Sequence, residues 1–461
     1  MRPLSPIDSA FLLAERRHQP FHVGALSLFR PPDGSGTDAA AEIAARLRET
    51  SSATAPFNRR LVSRWGRQSW VESDDFDLAQ HFVHLSLPRP GRIRELLAMV
   101  SRVQSAHLDR AYPLWRMYLI EGLEDGRIAT YSKIHHSLVD GVAGIRLMLK
   151  SMAPDAEASR QMPPPWNMRP SRSDATGLTG LPLHNRVDLV RAVAAAGRGA
   201  PAVLRHIRHT FSDVRHHHPD VVSSFQAPCS IINRPISGSR RFAAQSYSNA
   251  RIEKIARAFD ATRNDIVLAL CGAALRQYLS DLGELPAKPL IAAVPVSIRA
   301  DEGTDGNQLA FALANLGTHL ADPVARVKAV KGSMDYSKAL FRSMSQMQLL
   351  AYSLGVLAPG LLTFLPGVGR YRRPANVVIS HVPGPREPVY WQGCELSGIY
   401  PASIVLDGFA LNITLISRHD QIDFGIIACR RTLPAVQRLL DGIAAGIVEL
   451  EDALGWATKV A

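Results

Sequence analysis

Cysteine is scarce in this sequence: there are four among 461 residues, at Cys229, Cys271, Cys394 and Cys429, with no CxxC pair and no metal-ligand cluster. Thiols this far apart argue against a disulfide framework and fit a reducing cytoplasmic setting. The N-terminus, Met1-Arg2-Pro3-Leu4-Ser5, lacks the long apolar core of a signal peptide. No GxSxG elbow is present, so no activated serine nucleophile is expected. Internal repeats and collagen-like or coiled-coil periods are also missing. Zinc-finger spacing, an RNP-like aromatic box and a dense Lys/Arg block are absent, which places nucleic acid last among partners. Charge is missing between Arg342 and Arg370, where Leu349 to Gly369 is largely apolar. Pro359-Gly360 and Pro366-Gly367 interrupt that run, so a transmembrane helix is not expected. A broken hairpin that lines a lipid tunnel or dips into an interface is the expectation instead.

Basic residues, by contrast, are in excess: 53 Lys and Arg against 41 Asp and Glu give a formal charge of +12. An anionic membrane surface or a phosphate-bearing co-substrate suits that balance. Hydrophobic residues make up 46%, enough for sizeable buried cores. Alternating strand and helix patterns fill residues 1–150, with strands expected over Phe21 to Phe29 and Arg127 to Ile134 and helices over Ala39 to Thr50 and Ile93 to Ala106. Residues 151–228 change texture to Pro, Ser and Arg and read as a linker. Within it, Arg186 to Arg215 carries six arginines and an apolar stripe through Leu204, Ile207, Phe211 and Val214, the pattern of a basic amphipathic helix. The α/β pattern resumes over 229–461. A helix is expected at Asn264 to Leu279, strands at Pro289 to Pro295 and Asn376 to His381, and a strand pair at Leu411 to Ser417 and Ile422 to Ala428.

The run Lys133-Ile134-His135-His136-Ser137-Leu138-Val139-Asp140-Gly141 carries the strongest chemical signal. A strand leads into it and a helix follows, so the loop can present an imidazole accurately. Histidine suits base catalysis because much of it is neutral near neutral pH. A bare HxxxD pattern is not specific: it recurs at His184/Asp188, His209/Asp213, His216/Asp220 and His419/Asp423. Only His136/Asp140 combines a second histidine, a strand before it and a glycine after it. Asp140 suits the N-cap of the following helix, and Asn264 could cap the helix that begins near it. Trp115 reads as a core aromatic.

HHSLVDG resembles the HHxxxDG motif of the bacterial wax ester synthase/diacylglycerol acyltransferase family. Other resemblances come in order along the chain: Leu4-Ser5-Pro6-Ile7-Asp8 with Phe11-Leu12, His22-Val23-Gly24, Pro113-Leu114-Trp115, Asn264-Asp265, Val294 to Arg299, Gly306-Asn307-Gln308 and Ser380-His381-Val382-Pro383-Gly384-Pro385. The resemblance implies an α/β fold of two chloramphenicol-acetyltransferase-like domains, each a mixed sheet with helices. A crossover linker joins them and a tunnel runs between them. The domains would span 1–150 and 229–461. It implies His136 as general base, His135 in support, and Asp140 holding the loop, with Arg299 as candidate ionic partner. Gly141 and Asn264 would support the site. Acyl-CoA would be a co-substrate rather than a bound cofactor, with diacylglycerol or a long-chain alcohol as acceptor. The setting would be cytoplasmic, peripheral to a membrane or lipid droplet. The sequence departs from the family's pattern at His381, where asparagine is usual, and at Cys429-Arg430, where Asp-Arg is usual.

Two other functions share these residues. One is acyl transfer from a carrier-bound donor to a non-lipid hydroxyl or amine. The other is a catalytically weak lipid-droplet-binding protein.

Overall fold

The computed structural model describes residues 2–34, 38–64, 67–169, 226–298, 308–342 and 374–456, with residues 222, 344, 348, 349 and 352. In chain order the N-terminal half contains β1 (Arg2–Pro3), α1 (Pro6–Ala14), β2 (His22–Arg30), α2 (Ala39–Arg48), β3 (Arg59–Arg64), β4 (Arg67–Glu72), β5 (Phe82–Ser86) and α3 (Ile93–Ser105). It continues with β6 (Trp115–Glu121), β7 (Ile128–His135), α4 (Gly141–Lys150) and α5 (Ala156–Gln161). The second half contains β8 (Arg240–Ser248), α6 (Asn249–Ala258), α7 (Arg263–Asp281), β9 (Ile291–Ile298), β10 (Gln308–Asn315) and α8 (Pro323–Arg342). Then come β11 (Val377–Pro383), β12 (Tyr390–Trp391), β13 (Cys394–Ala402), β14 (Leu411–Ser417), β15 (Gln421–Cys429) and α9 (Gln437–Ala453).

Two six-stranded mixed sheets dominate, in the orders β12-β13-β2-β7-β6-β5 and β10-β9-β11-β14-β15-β8. Among the described residues, the expected strands and helices form, each within a few residues of its expected bounds. β7 is buried at seven of its eight positions. This fits its central place, with neighbours on both edges and packed layers on both faces. α7 is apolar on most of its faces, and its residues from Asp265 to Leu275 are all buried. Such a helix belongs inside a core. It packs against α6, α8 and α9.

The first sheet is not made of the first 150 residues alone. β13 comes from far along the chain and pairs antiparallel with β2, from Glu395 opposite Arg30 to Ala402 opposite Gly24. Residues after α4 also return to this sheet: Ala153 bridges Tyr390, and Trp166 is buried against Trp115. In the other direction, α3 packs on β8 at the edge of the second sheet. Ser105 and Ser101 accept the backbone N–H groups of Arg240 and Phe242 at 2.8 and 2.9 Å. These hydroxyls satisfy donors that an open edge strand would leave bare.

Where β13 crosses β15, a strap of buried polar groups ties the sheets together. Asp423 accepts from Arg418 Nε at 2.7 Å, from the Ile399 N–H at 2.9 Å and from the Ser246 hydroxyl at 2.6 Å. Arg418 Nη2 also donates to the Ser397 carbonyl at 3.0 Å. The strands approach so closely that a Cβ on Gly425 would lie 1.9 Å from the Pro401 carbonyl oxygen. Gly425→Ala is therefore expected to destabilise the fold by about 3 kcal/mol, the upper end of ordinary overpacking. Urea denaturation checks this, and a loss within noise would show that β13 and β15 can move apart freely.

Candidate active site

β7 and α4 hold the histidine pair between them. The His135 N–H donates to the Leu114 carbonyl at 2.9 Å and the His136 N–H to the Phe21 carbonyl at 2.8 Å. At the far end of the loop Asp140 is the N-cap of α4, and its Oδ1 accepts the Ala143 N–H at 2.9 Å. The loop is thus pinned at both ends by backbone bonds, with buried Val139 as an apolar anchor between them.

Alternation along β7 sends the two imidazoles to different sides. Ser132, Ile134 and His136 border a cavity of about 530 Å³ between the two sheets, together with Gly141 and Asp140. Its walls are mainly apolar: Val23, Ile145 and Met148 on one side, Ala293, Leu313 and Leu411 on the other. The Phe11 ring of α1 lies against the His136 ring, centroids 4.6 Å apart. Burial, with a smaller push from nearby His135, lowers the His136 pKa to about 4. Its Nδ1 is buried without a hydrogen-bond partner among the described residues, so Nε2 is the accessible nitrogen.

His135 points away from the cavity. Its Nδ1 accepts the Ser137 N–H at 3.1 Å and lies 2.6 Å from the Ser137 hydroxyl, leaving the Nε2 proton directed at Glu15, 3.5 Å away. Glu15 also accepts from Arg110 at 2.7 Å and from the Phe21 N–H at 3.2 Å, and lies 3.4 Å from His107. Burial works against its charge, but the His135 ring beside it and the hydrogen bond from Arg110 outweigh that and hold its carboxyl well below the usual carboxylate range. The Phe21 backbone is therefore gripped on both sides, its N–H by the Glu15 carboxylate and its carbonyl by the His136 N–H. Sequence reasoning missed Glu15 because its partners lie about a hundred residues away. The one available signal was its place directly after α1.

The polar groups on the opposite wall come from the second sheet. Ser380 on β11 and Thr414 on β14 are register partners, and both line the cavity. The Thr414 hydroxyl donates to Asn412 Oδ1 at 2.8 Å, and Asn412 also lines the cavity. Asn412 was not singled out from the sequence.

Asn264 sits in the first turn of α7, half-buried, and is not among the described residues lining the cavity. It is not the cap of that helix: Thr262 is, in a capping box closed by Asp265. Arg299, the Arg186 to Arg215 segment, most of Leu349 to Gly369, and the HxxxD pairs at 184, 209 and 216 lie outside the described residues. His419/Asp423 has a different use, since Asp423 forms the strap beneath β13. Trp115 is core: its ring nitrogen donates to the Phe57 carbonyl at 2.8 Å. His381 points away from Ser380 and lies 2.5 Å from the Ser417 hydroxyl, with burial lowering its pKa to about 4. Cys429 closes β15 and accepts the Ser237 N–H at 3.2 Å. Both departures therefore lie off the cavity wall.

Residues 4–267 match the wax ester synthase/diacylglycerol acyltransferase catalytic domain, and residues 305–451 match the WS/DGAT C-terminal domain. The chain belongs to the wax ester synthase/diacylglycerol acyltransferase family. It is an acyltransferase. It is 46% identical over 442 residues to the O-acyltransferase WSD of Acinetobacter baylyi, covering 95% of each chain. It is 42% identical over 459 residues to a Mycobacterium tuberculosis protein that carries a diacylglycerol O-acyltransferase name, covering 98% of this chain and all of that one. Among solved structures, the wax ester synthase/diacylglycerol acyltransferase from Marinobacter aquaeolei VT8 superposes with a TM-score of 0.81 at 41% identity, covering 99% of this chain and 100% of that one. The first condensation domain of the CDA synthetase shares the fold alone, with a TM-score of 0.56 at 16% identity and coverage of 98% and 97%.

Proposed function

We propose that this family member transfers a long-chain fatty acyl group from acyl-CoA to the hydroxyl of diacylglycerol, with long-chain alcohols as a second acceptor class, and that His136 is the general base. The observation that carries this reading is the imidazole of His136 on the wall of a mainly apolar cavity of about 530 Å³ between the two sheets. His136 Nε2 takes the proton of the acceptor hydroxyl as its oxygen bonds to the thioester carbon. The tetrahedral intermediate then collapses, the carbon–sulfur bond breaks, and the same proton passes to the departing thiolate. Ester and free CoA thiol result, with no covalent enzyme intermediate. The hydroxyls of Ser380 and Thr414, or the Asn412 amide, are the candidates to stabilise the oxyanion.

Asp140 is assigned to holding the loop by capping α4, with Arg299 as its proposed second partner. Gly141 lets the helix begin directly at the cavity. His135 acts through the loop, held by Glu15, and Asn264 helps organise the second half of the site. The domain limits of 1–150 and 229–461, with a linker at 151–228, stay part of this reading. So does attachment to the membrane or to lipid droplets in the cytoplasm. Among the described residues, no helix is long and apolar enough to cross a membrane.

Labelled acyl-CoA offered with diacylglycerol and, separately, with a long-chain alcohol tests the reading. Labelled triacylglycerol or wax ester is expected. No ester with either acceptor sinks it and moves weight to a carrier-bound donor or to a binding protein.

A pH profile gives a second test. The neutral imidazole is the active form, so activity is lost as pH falls through the His136 pKa. With that value lowered to about 4, kcat/KM should stay level from neutral pH down to about 5 and fall only below it. An acid limb at an ordinary histidine value would contradict the buried setting assigned to this ring.

A further inference from the structure

The proposed acceptor is insoluble in water, so the enzyme must meet it at a lipid surface, and a docking face on α1 rests on that reading. α1 places Phe11 against His136, while Ala10 beside it is exposed and also lines the cavity. The cavity therefore reaches the surface along α1. Leu13, three residues on and on the same helix face, is 79% exposed, the highest of the large apolar side chains among the described residues. Arg16 and Arg17 come next, both exposed.

The loop after α3 is fastened to the same place. Arg110 Nη2 donates to the Leu12 carbonyl at 3.0 Å, and His107 lies 3.1 Å from the Arg17 carbonyl. That loop presents Tyr112 at 38% exposure. Of the carboxylates nearby, Glu15 is turned inward onto Arg110 and His135, Asp407 lies 3.1 Å from His18, Asp109 Oδ1 accepts the Ala111 N–H of its own turn, and Asp8 is half-buried in the first turn of α1. A single exposed leucine is ordinary. An exposed leucine three residues from the cavity-lining Ala10, followed by arginines and fastened to a loop that carries an exposed tyrosine, has the composition of an interfacial anchor.

We propose that this face of α1 seats the enzyme on an anionic phospholipid surface. Leu13 and Tyr112 enter the head-group boundary and Arg17 meets the phosphates. The acceptor then passes from the lipid into the cavity beside Ala10. The positive balance of the whole chain, +12, favours the same partner.

Flotation of the full chain with phosphatidylcholine vesicles, with and without phosphatidylglycerol, tests this. The wild type is expected to float with the mixed vesicles and far less with phosphatidylcholine alone. Arg17→Ala should weaken partitioning about fivefold and Leu13→Asp about tenfold or more. Both variants should keep the wild-type melting temperature and wild-type transfer from a short-chain acyl-CoA to a soluble alcohol without vesicles. Flotation equal to wild type in both variants overturns the proposal, as does a wild type that binds no vesicle. Loss of the soluble reaction in step with flotation also overturns it, because it would assign α1 to the catalytic fold. A wild type that floats as described yet makes no ester with any acceptor would support the docking face and sink the proposed function.

Discussion

His136→Ala is expected to lower kcat for acyl transfer by about 10²–10⁴-fold, the range for removing a positioned general base. The fold should survive, because the ring faces a cavity and its loop is held mainly through backbone atoms. The His136 and His135 N–H groups bond the Phe21 and Leu114 carbonyls, and alanine keeps both bonds. Asp140 continues to cap α4 in the variant. The drop should therefore fall on kcat rather than on the melting temperature. Part of the rate should return on adding imidazole, which fits the space the side chain leaves. Equal product from variant and wild type would remove His136 from the role proposed for it. A fall in kcat together with global unfolding would show instead that the ring carries the packing of α1.

Asp423→Ala is expected to cost the fold about 3–5 kcal/mol, the penalty for removing one partner of a buried ion pair. Arg418 is buried, and its Nε would lose its acceptor at 2.7 Å. The Ile399 N–H would also be left without its carboxylate. Burial raises the pKa of Asp423 against the pull of Arg418. Asp423→Asn, which keeps the shape and one acceptor oxygen, should cost less. Urea denaturation of the two variants measures the difference. If Asp423→Ala lost no more than a surface substitution, β13 would not depend on this strap. Activity should fall with stability, because Pro401 and Ala402 at the end of β13 line the cavity beside Gly24.

Much of the site was legible before the fold was known. The strand into His135, the cap at Asp140 and the helix from Gly141 follow from local pattern and capping chemistry, and the structure repeats them within a residue or two. The expectation that Asn264 could serve as a helix cap failed for a local reason as well. Thr262 with Asp265 three residues later is the stronger capping pair. Glu15 and Asn412 were not legible. Glu15 serves His135 and Arg110 from across the fold, and a lone carboxylate after a short helix has no pattern that names its partners. Asn412 becomes a candidate only once β14 is known to face the first sheet.

The features legible in the chain alone are therefore local and collinear. They are the order of strands and helices, the histidine loop and the succession of motifs that marks the family, because periodicity, caps and motif spacing act over a few residues. Which side chains share a space depended on the packing of distant segments. That packing carried β13 back to β2, closed Asp423 under the crossing, and set Ser380, Asn412 and Thr414 on the wall opposite His136. Alternation along a strand tells which residues share a face, but only the packing of one sheet on another tells what that face meets.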